Sequence, residues 1–499
     1  ATTTSITANG ATFSGSNLVT FLEAPTATTY DIVTYNAGTV TTPENLTVAA
    51  HGSLSNTGTK LNFTATGPAT RTWNTTTGTW DNVGTGLNWA EGDQKFFDSD
   101  TAVFGDIASD SVITLSGTIA PGSVTASNTA NKYTFQTGTI AGTGSLAKSG
   151  AGTLALSSAN TYSGGTTLTA GILQVGNNSA LGTGALALNG GTLSSNSATT
   201  FTLANNLTIG GNVAFGDGTN GGQLVFNGTM ALQGSTRVLT SVLGTQGARF
   251  IGVISNGGIT KEGTGRITLA NDTNAFAGAT TINAGILATS TGALTTSASV
   301  TIANGGQLAL GGNGTTVINN LSGVSGSKIV SNFNIVSDGA RTLQINQTTD
   351  GEFAGTFTQG TARTISLNKD GAATLTLSGT ATGVNGYTGT TTVTNGTLAV
   401  TGALGTTAVT VKSGATLAGN GNITGSVTIQ ANGKHLLGVA ATPASQITRT
   451  ITGTLTLDPD HIVAVSAPVS PISGTYVLAT ATGGINGTLG TIQLPPGVS

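Results

Sequence analysis

The 499-residue sequence has no cysteine, a single methionine, and charged residues at only 7% of positions, against roughly 25% in an average soluble domain. The missing cysteine excludes disulfides, thiolate metal sites and cysteine nucleophiles together. Sixteen Lys and Arg scattered along the chain cannot build the phosphate-neutralising stripe of a nucleic-acid binder, so nucleic acid is not an expected partner. No stretch approaches the roughly 20 consecutive apolar residues that cross a bilayer, and no membrane span is expected. Disorder is excluded as well, since 37% of residues are hydrophobic and the formal net charge is only −3.

Proline is missing where it matters most. Of ten prolines, four lie at or before Pro121 and six at or after Pro443, and the whole span between those two has none. Average usage of about 5% would place roughly 16 there. Proline cannot donate to a β ladder, so this gap is the footprint of a long, continuously hydrogen-bonded β structure. What fills it is glycine, 76 in the whole chain, and threonine, together with short alternating apolar runs such as Thr153–Leu156 and Val409–Val411. These runs recur at close, near-even spacing between Gly-Gly, Asn-Gly or Ser-Gly turns, and no window has helical periodicity.

The chain repeats itself. Asn160, Tyr162 and Gly164 recur as Asn274, Phe276 and Gly278, and again as Asn385, Tyr387 and Gly389. Downstream, Leu168, Gly171 and Leu173 match Ile282, Gly285 and Leu287, then Val393, Gly396 and Leu398, at identical spacing. Each copy is preceded by a lysine in a Gly-rich turn: Lys148, Lys261 and Lys369. Similar segments stacked along an axis place like on like, and each coil buries its face only against its neighbours. The expected fold is all-β, a right-handed parallel β-helix (β-solenoid) with coils of roughly 20 to 25 residues. A Trp-rich N-terminal cap and small β modules at both ends complete it.

Four segments follow: an N-terminal β module over 1–70, a Trp-rich acidic cap over 71–110, the solenoid over 111–440, and a C-terminal β module over 441–499. The cap reading rests on Trp73, Trp80 and Trp89, the only tryptophans, since a solenoid end must be covered. Pro25–Gly38 with Tyr30 parallels Pro471–Gly484 with Tyr476, and the C-terminal copy looks incomplete. Tyr30 and Tyr476 are therefore the candidate assembly residues, for strand addition between copies.

Little else points to chemistry. His51, His435 and His461 are far apart, which argues for structural or surface roles rather than a triad or a metal site. No Gly-x-Ser-x-Gly elbow opens a helix. Carboxylates concentrate only at Asp81, Glu91, Asp93, Asp98, Asp100 and Asp106. Asp93, Asp98 and Asp100 are weak metal candidates, but no calcium-loop spacing is present, and a solvated cap surface is the favoured reading. The three repeated lysines are expected at solvated corners, where they discourage lateral sheet pairing. No cofactor and no catalytic residue are expected.

The segment 150–175, containing Asn160, Tyr162, Gly164, Gly171 and Leu173, resembles the autotransporter-associated β-strand repeat, also called the passenger-associated transport repeat. The likeness is closest in the first copy and, with the Trp segment, covers roughly 70–445. It implies secretion, a β-helical stalk and bacterial surface display, and no catalytic residues. Such proteins end in a β-barrel translocator of about a dozen strands, which this sequence does not contain. The first residue is Ala1, as after leader removal, and the expected location is secreted, extracellular or cell-surface. The leading functional expectation is a non-enzymatic structural subunit assembling with itself head-to-tail into a surface fibre. The alternative is a cleaved autotransporter-type passenger acting as an adhesin, with surface glycans as a possible partner. A β-helix polysaccharide lyase or glycosidase is third.

Overall fold

The computed structural model describes residues 6–7, 17–19, 29–34, 46–48, 51–56, 60–243, 247–331, 339–360, 363–379, 386–467 and 471–495. Apart from one short 3-10 turn, Pro443–Ser445, every regular element among them is a strand. The chain divides into two units, Ala1–Gly228 and Thr229–Ser499.

In the first unit the strands pair in parallel with the strand one coil further along. One ladder runs through Thr101–Phe104, Ser123–Ala126, Ser145–Lys148, Thr166–Leu168, Leu186–Leu188 and Leu207–Ile209. A second runs through Ser111–Ile119, Lys132–Ile140, Thr153–Leu156, Ile172–Val175 and Thr192–Ser195. Val124 faces Leu146, Leu146 faces Thr166, and Leu168 faces Leu188, each partner one coil away. This is a parallel β-solenoid, as the sequence pattern implies. Period-two alternation sends Leu146, Leu168, Leu186 and Leu188 inward, where all are buried, while Ala147, Thr167 and Ala187 stack on the other face.

The solenoid begins under aromatics. Trp80 closes the strand Thr77–Trp80, which pairs with Ser111–Ile119. Its ring meets Phe96 at 5.1 Å, Phe104 at 5.4 Å and Phe135 at 5.7 Å, and Trp73 and Trp89 meet edge to face at 5.2 Å. All three tryptophans are buried, so their large apolar surfaces fill the space that a preceding coil would fill. Ahead of them, Thr29–Thr34 and Gly52–Asn56 flank Lys60–Ala65 in antiparallel pairing.

The second unit repeats the scheme with coils of uneven length. Val409 pairs with Val427 across a short coil, and Val427 pairs with Leu455 across a longer one. One ladder runs through Ile254–Glu262, Thr280–Ile282, Val300–Ile302 and Leu321–Gly323. Another runs through Arg341–Asn346, Ile365–Asp370, Thr391–Val393, Val409–Val411, Val427–Ile429 and Leu455–Leu457. At its C-terminal end, Ala479–Ala481, Ile485–Asn486 and Thr491–Gln493 pair in parallel with the coil before. Tyr476 lies in this last coil, and its hydroxyl donates to the carbonyls of Ile472 (2.9 Å) and Ala441 (3.3 Å). Tyr30 sits in the strand Thr29–Thr34, which pairs in parallel with Ile6–Thr7 and antiparallel with Lys60–Ala65, whereas Ala479–Ala481, just beyond Tyr476, pairs in parallel with Arg449–Ile451.

Candidate functional site

The repeated residues converge on one corner of the coil, and each ties its coil to a neighbour. Asn160 sits between strands. Its Oδ1 accepts from the backbone N–H of Ile140 at 2.8 Å, one coil back, and its Nδ2 donates to the carbonyl of Ala180 at 2.7 Å, one coil on. Asn274 does the same with Ile254 N–H (2.9 Å) and the Ala293 carbonyl (3.2 Å). A single carboxamide thus replaces a missing rung of the ladder in both directions. Asn385, the third copy, lies outside the described residues.

Two residues on, Tyr162, Phe276 and Tyr387 are fully enclosed. The Tyr162 hydroxyl bonds to Thr166 Oγ1 at 2.6 Å, and that of Tyr387 bonds to Thr391 Oγ1 at 2.7 Å. Burial pushes both phenols well above the usual tyrosine range. The threonine also bonds to the next hydroxyl residue, Thr391 Oγ1 to Thr407 Oγ1 at 2.8 Å and, in the phenylalanine copy, Thr280 Oγ1 to Ser297 Oγ at 2.9 Å, so Thr280 keeps a partner without a phenol. The glycine that follows permits a close approach: a Cβ on Gly164 or Gly278 would lie 2.5 Å from the carbonyl oxygen of Gly144 or Gly257 on the coil before. Gly389 is tighter still against Ile365.

The lysines correct the sequence reading. Lys148, Lys261 and Lys369 are fully buried rather than solvated. Each occupies an inward ladder position: Lys148 stands between Ala126 and Leu168, Lys261 precedes Ile282, and Lys369 stands between Ile345 and Val393. The ammonium groups end among turn carbonyls. Lys148 Nζ donates to Gly150 O. Lys261 donates to Glu262 O (2.6 Å), Gly263 O (2.7 Å) and Ala284 O (3.1 Å), and Lys369 to Gly371 O (2.9 Å) and Asn395 O (3.0 Å). For Lys261 and Lys369 these bonds fasten the turn after the lysine to the next coil's turn, just ahead of Gly285 or Gly396. Burial lowers all three amines to about 8, a nearby carboxylate opposing the shift in each case. The signal that places them inside is the alternation itself, since Leu146, Ile259 and Leu367 stand two residues before each lysine and share its face.

Of the six cap carboxylates, Glu91, Asp93, Asp98 and Asp106 are exposed, as the solvated-surface reading expects, and Asp81 and Asp100 are buried against it. Asp100 is completely buried and accepts from the N–H groups of Ala69 (2.7 Å) and Phe97 (3.0 Å) and from His51 Nε2 (2.6 Å). Arg71 Nη2 donates to His51 Nδ1 at 2.8 Å and to Asp93 Oδ1 at 2.8 Å. Asp81 gathers the N–H groups of Val83, Thr85 and Gly86, Glu91 takes Thr72 N–H, Asp98 takes Ala120 N–H, and Asp106 takes Thr129. The carboxylates act as separate staples for turn amides. Among the described residues no three His, Asp or Glu side chains stand together as metal ligands.

The corner geometry coincides with a known repeat. The passenger-associated-transport-repeat model matches residues 146–175, 259–288 and 367–400. Three segments of this chain are passenger-associated transport repeats. Each matched segment opens just before the buried lysine and ends beyond the glycine that follows the next coil's turn. Over 280 residues, 53% of the chain, the sequence is 29% identical to the adhesin BmaC autotransporter of Brucella suis biovar 1 (strain 1330). That alignment takes in only 7% of the relative's length, so the chain spans a small part of the protein it matches. No solved structure matches the chain.

Two outcomes follow from the corner. Asn160→Ala and Asn274→Ala each orphan a buried N–H and a carbonyl, and each should cost on the order of 2 to 4 kcal/mol in urea unfolding; a loss below about 0.5 kcal/mol would contradict the bridging role. The lysines set a pH dependence. Because the folded-state value of about 8 lies below the ordinary 10.5, the unfolded chain holds more protons between these values, and stability rises with pH across that window. The melting temperature of wild type relative to Lys261→Met should therefore climb from pH 8 to pH 10.5. A flat difference would show that the ammonium carries no burial penalty.

Proposed function

We propose that the chain is a stretch of the passenger of an autotransporter-type adhesin: a non-enzymatic β-solenoid displayed at, or released from, a bacterial surface. The observation that carries this reading is the placement of the repeat's polar residues. Asn160, Asn274, Lys261 and Lys369 spend their hydrogen bonds between coils, which makes the repeat a building element and leaves the outward threonine and serine faces for contact. The likeness to an adhesin autotransporter supports the passenger reading over a dedicated fibre subunit.

One observation favours self-association as a second reading. Ile485, Leu489 and Ile492 are more than half exposed, and the segment 462–495 that carries them has no charged residue. In this reading copies add end to end, and Tyr476 lies at the contact.

Fusing the chain to a β-barrel translocator in a laboratory bacterium tests the main reading. Cells displaying it should bind epithelial monolayers or mucin-coated surfaces several-fold better than cells carrying the barrel alone. Binding equal to the barrel-only control on both would contradict it. Filaments of the purified chain in negative-stain images would instead favour the second reading.

A further inference from the structure

The turn between the strands Thr391–Val393 and Thr397–Val400 carries the pair Asn395–Gly396. Asn–Gly pairs recur along the chain, and at three of them the glycine N–H goes to another carbonyl. Gly305 donates to Gly326 O (3.3 Å), Gly421 to Val400 O (2.8 Å) and Gly433 to Gln430 O (2.8 Å). At Asn395 the glycine N–H turns back on the preceding side chain instead, donating to Asn395 Oδ1 at 2.8 Å. For an acceptor angle between about 90° and 120° and a C=O bond of about 1.23 Å, the carboxamide carbon Cγ lies roughly 3.1 to 3.6 Å from that nitrogen. The two atoms that would close a five-membered ring are thus held at near-attack separation.

The rest of the turn keeps them there. Lys369 Nζ donates to the carbonyl of Asn395 at 3.0 Å and to that of Gly371 at 2.9 Å. The Asn395 carbonyl is conjugated with the Gly396 nitrogen, so an ammonium drawing on its oxygen makes that N–H more acidic. Gly396 sits at φ +64° and has no Cβ to hinder the approach. Asn395 is exposed, so water reaches the carboxamide. One coil back the same turn holds an acid in place of the amide, with Gly371 N–H on Asp370 Oδ1 at 2.7 Å. A carboxylate is a poor electrophile, which leaves the amide copy as the reactive one.

We propose that Asn395–Gly396 is a self-modification site, at which the folded chain converts Asn395 to aspartate and isoaspartate through a cyclic imide. The Gly396 nitrogen loses its proton to solvent and attacks Cγ. The N–Cγ bond forms, the Cγ–Nδ2 bond breaks, and Nδ2 leaves as ammonia with a proton taken from solvent. One water then opens the ring. Cleavage of the N–Cγ bond gives aspartate on an unchanged backbone, and cleavage between the nitrogen and the main-chain carbonyl carbon gives isoaspartate. Water replaces ammonia and no electrons are transferred. The isoaspartyl main chain is one methylene longer, in a turn so close to the coil before that a Cβ on Gly396 would lie 2.3 Å from Gly371 O. Conversion therefore loosens this corner as the protein ages.

The test is peptide mapping by mass spectrometry of the purified chain, held folded at mildly alkaline pH and sampled over weeks, beside the same chain denatured in guanidinium. In the folded chain Asn395 should convert to the acid several-fold faster than Asn304, Asn420 and Asn432. In guanidinium the four should convert at similar rates, because the fold makes the contrast. An Asn395 that stays unmodified in the folded chain, or converts no faster than the other three, would overturn the proposal. The melting temperature should fall in step with isoaspartate at 395. Asn395→Gln, which would need a six-membered ring, should hold its melting temperature through the same incubation, and a decline equal to that of wild type would overturn the link between conversion and stability.

Discussion

Every coil of this protein is satisfied only by the coils beside it. Parallel pairing sends each strand's N–H and C=O groups to strands one coil away, so no strand of the solenoid closes its ladder within its own coil. That constraint explains the composition. A side chain meets the residue at the same position of the next coil at about the 4.8 Å strand spacing, where two like charges repel. A low charge content follows, and the inward lysines that do occur are set one at a time. Lys148 lies between Ala126 and Leu168, and Lys369 between Ile345 and Val393, never against another lysine.

The same constraint assigns the repeat its work. Where a coil turns a corner the ladder is interrupted, and the backbone groups exposed by the break must find other partners. Asn160 and Asn274 supply a donor and an acceptor there, the buried lysines collect turn carbonyls, and Gly164 and Gly278 let successive corners touch. The aromatic position fills the corner's apolar volume whether it is Tyr162 or Phe276, and Thr280 keeps Ser297 as its hydroxyl partner where no phenol is present. The repeat therefore holds coils in register.

Much of this is legible in the sequence. Alternation marks the strands, the proline gap marks the extent of unbroken pairing, and the recurrence of Asn, Tyr or Phe, and Gly at fixed spacing marks the corners. Three things are not. Charge usually means surface, which sends the lysines to solvent on composition alone, although their alternation with Leu146, Ile259 and Leu367 places them inside. The burial of Asp81 and Asp100 is invisible because turn amides that seek an acceptor leave no trace in composition. Which Asn–Gly turns give the glycine N–H to a neighbouring coil, as Gly421 gives it to Val400, is set by coil register. An offset that differs between the pair Val409 and Val427 and the pair Val427 and Leu455 cannot be counted off a sequence.

The central claim is that side chains at the corners complete the backbone ladder, and amide hydrogen exchange tests it most directly. The N–H groups of Ile140 and Ile254 have a side-chain oxygen, from Asn160 and Asn274, where a ladder amide has a carbonyl. They should exchange as slowly as true ladder amides such as that of Leu186, bonded to Asn206 O. Exchange at the rate of exposed turn amides would mean that the corners are held by packing alone, and the account would fail.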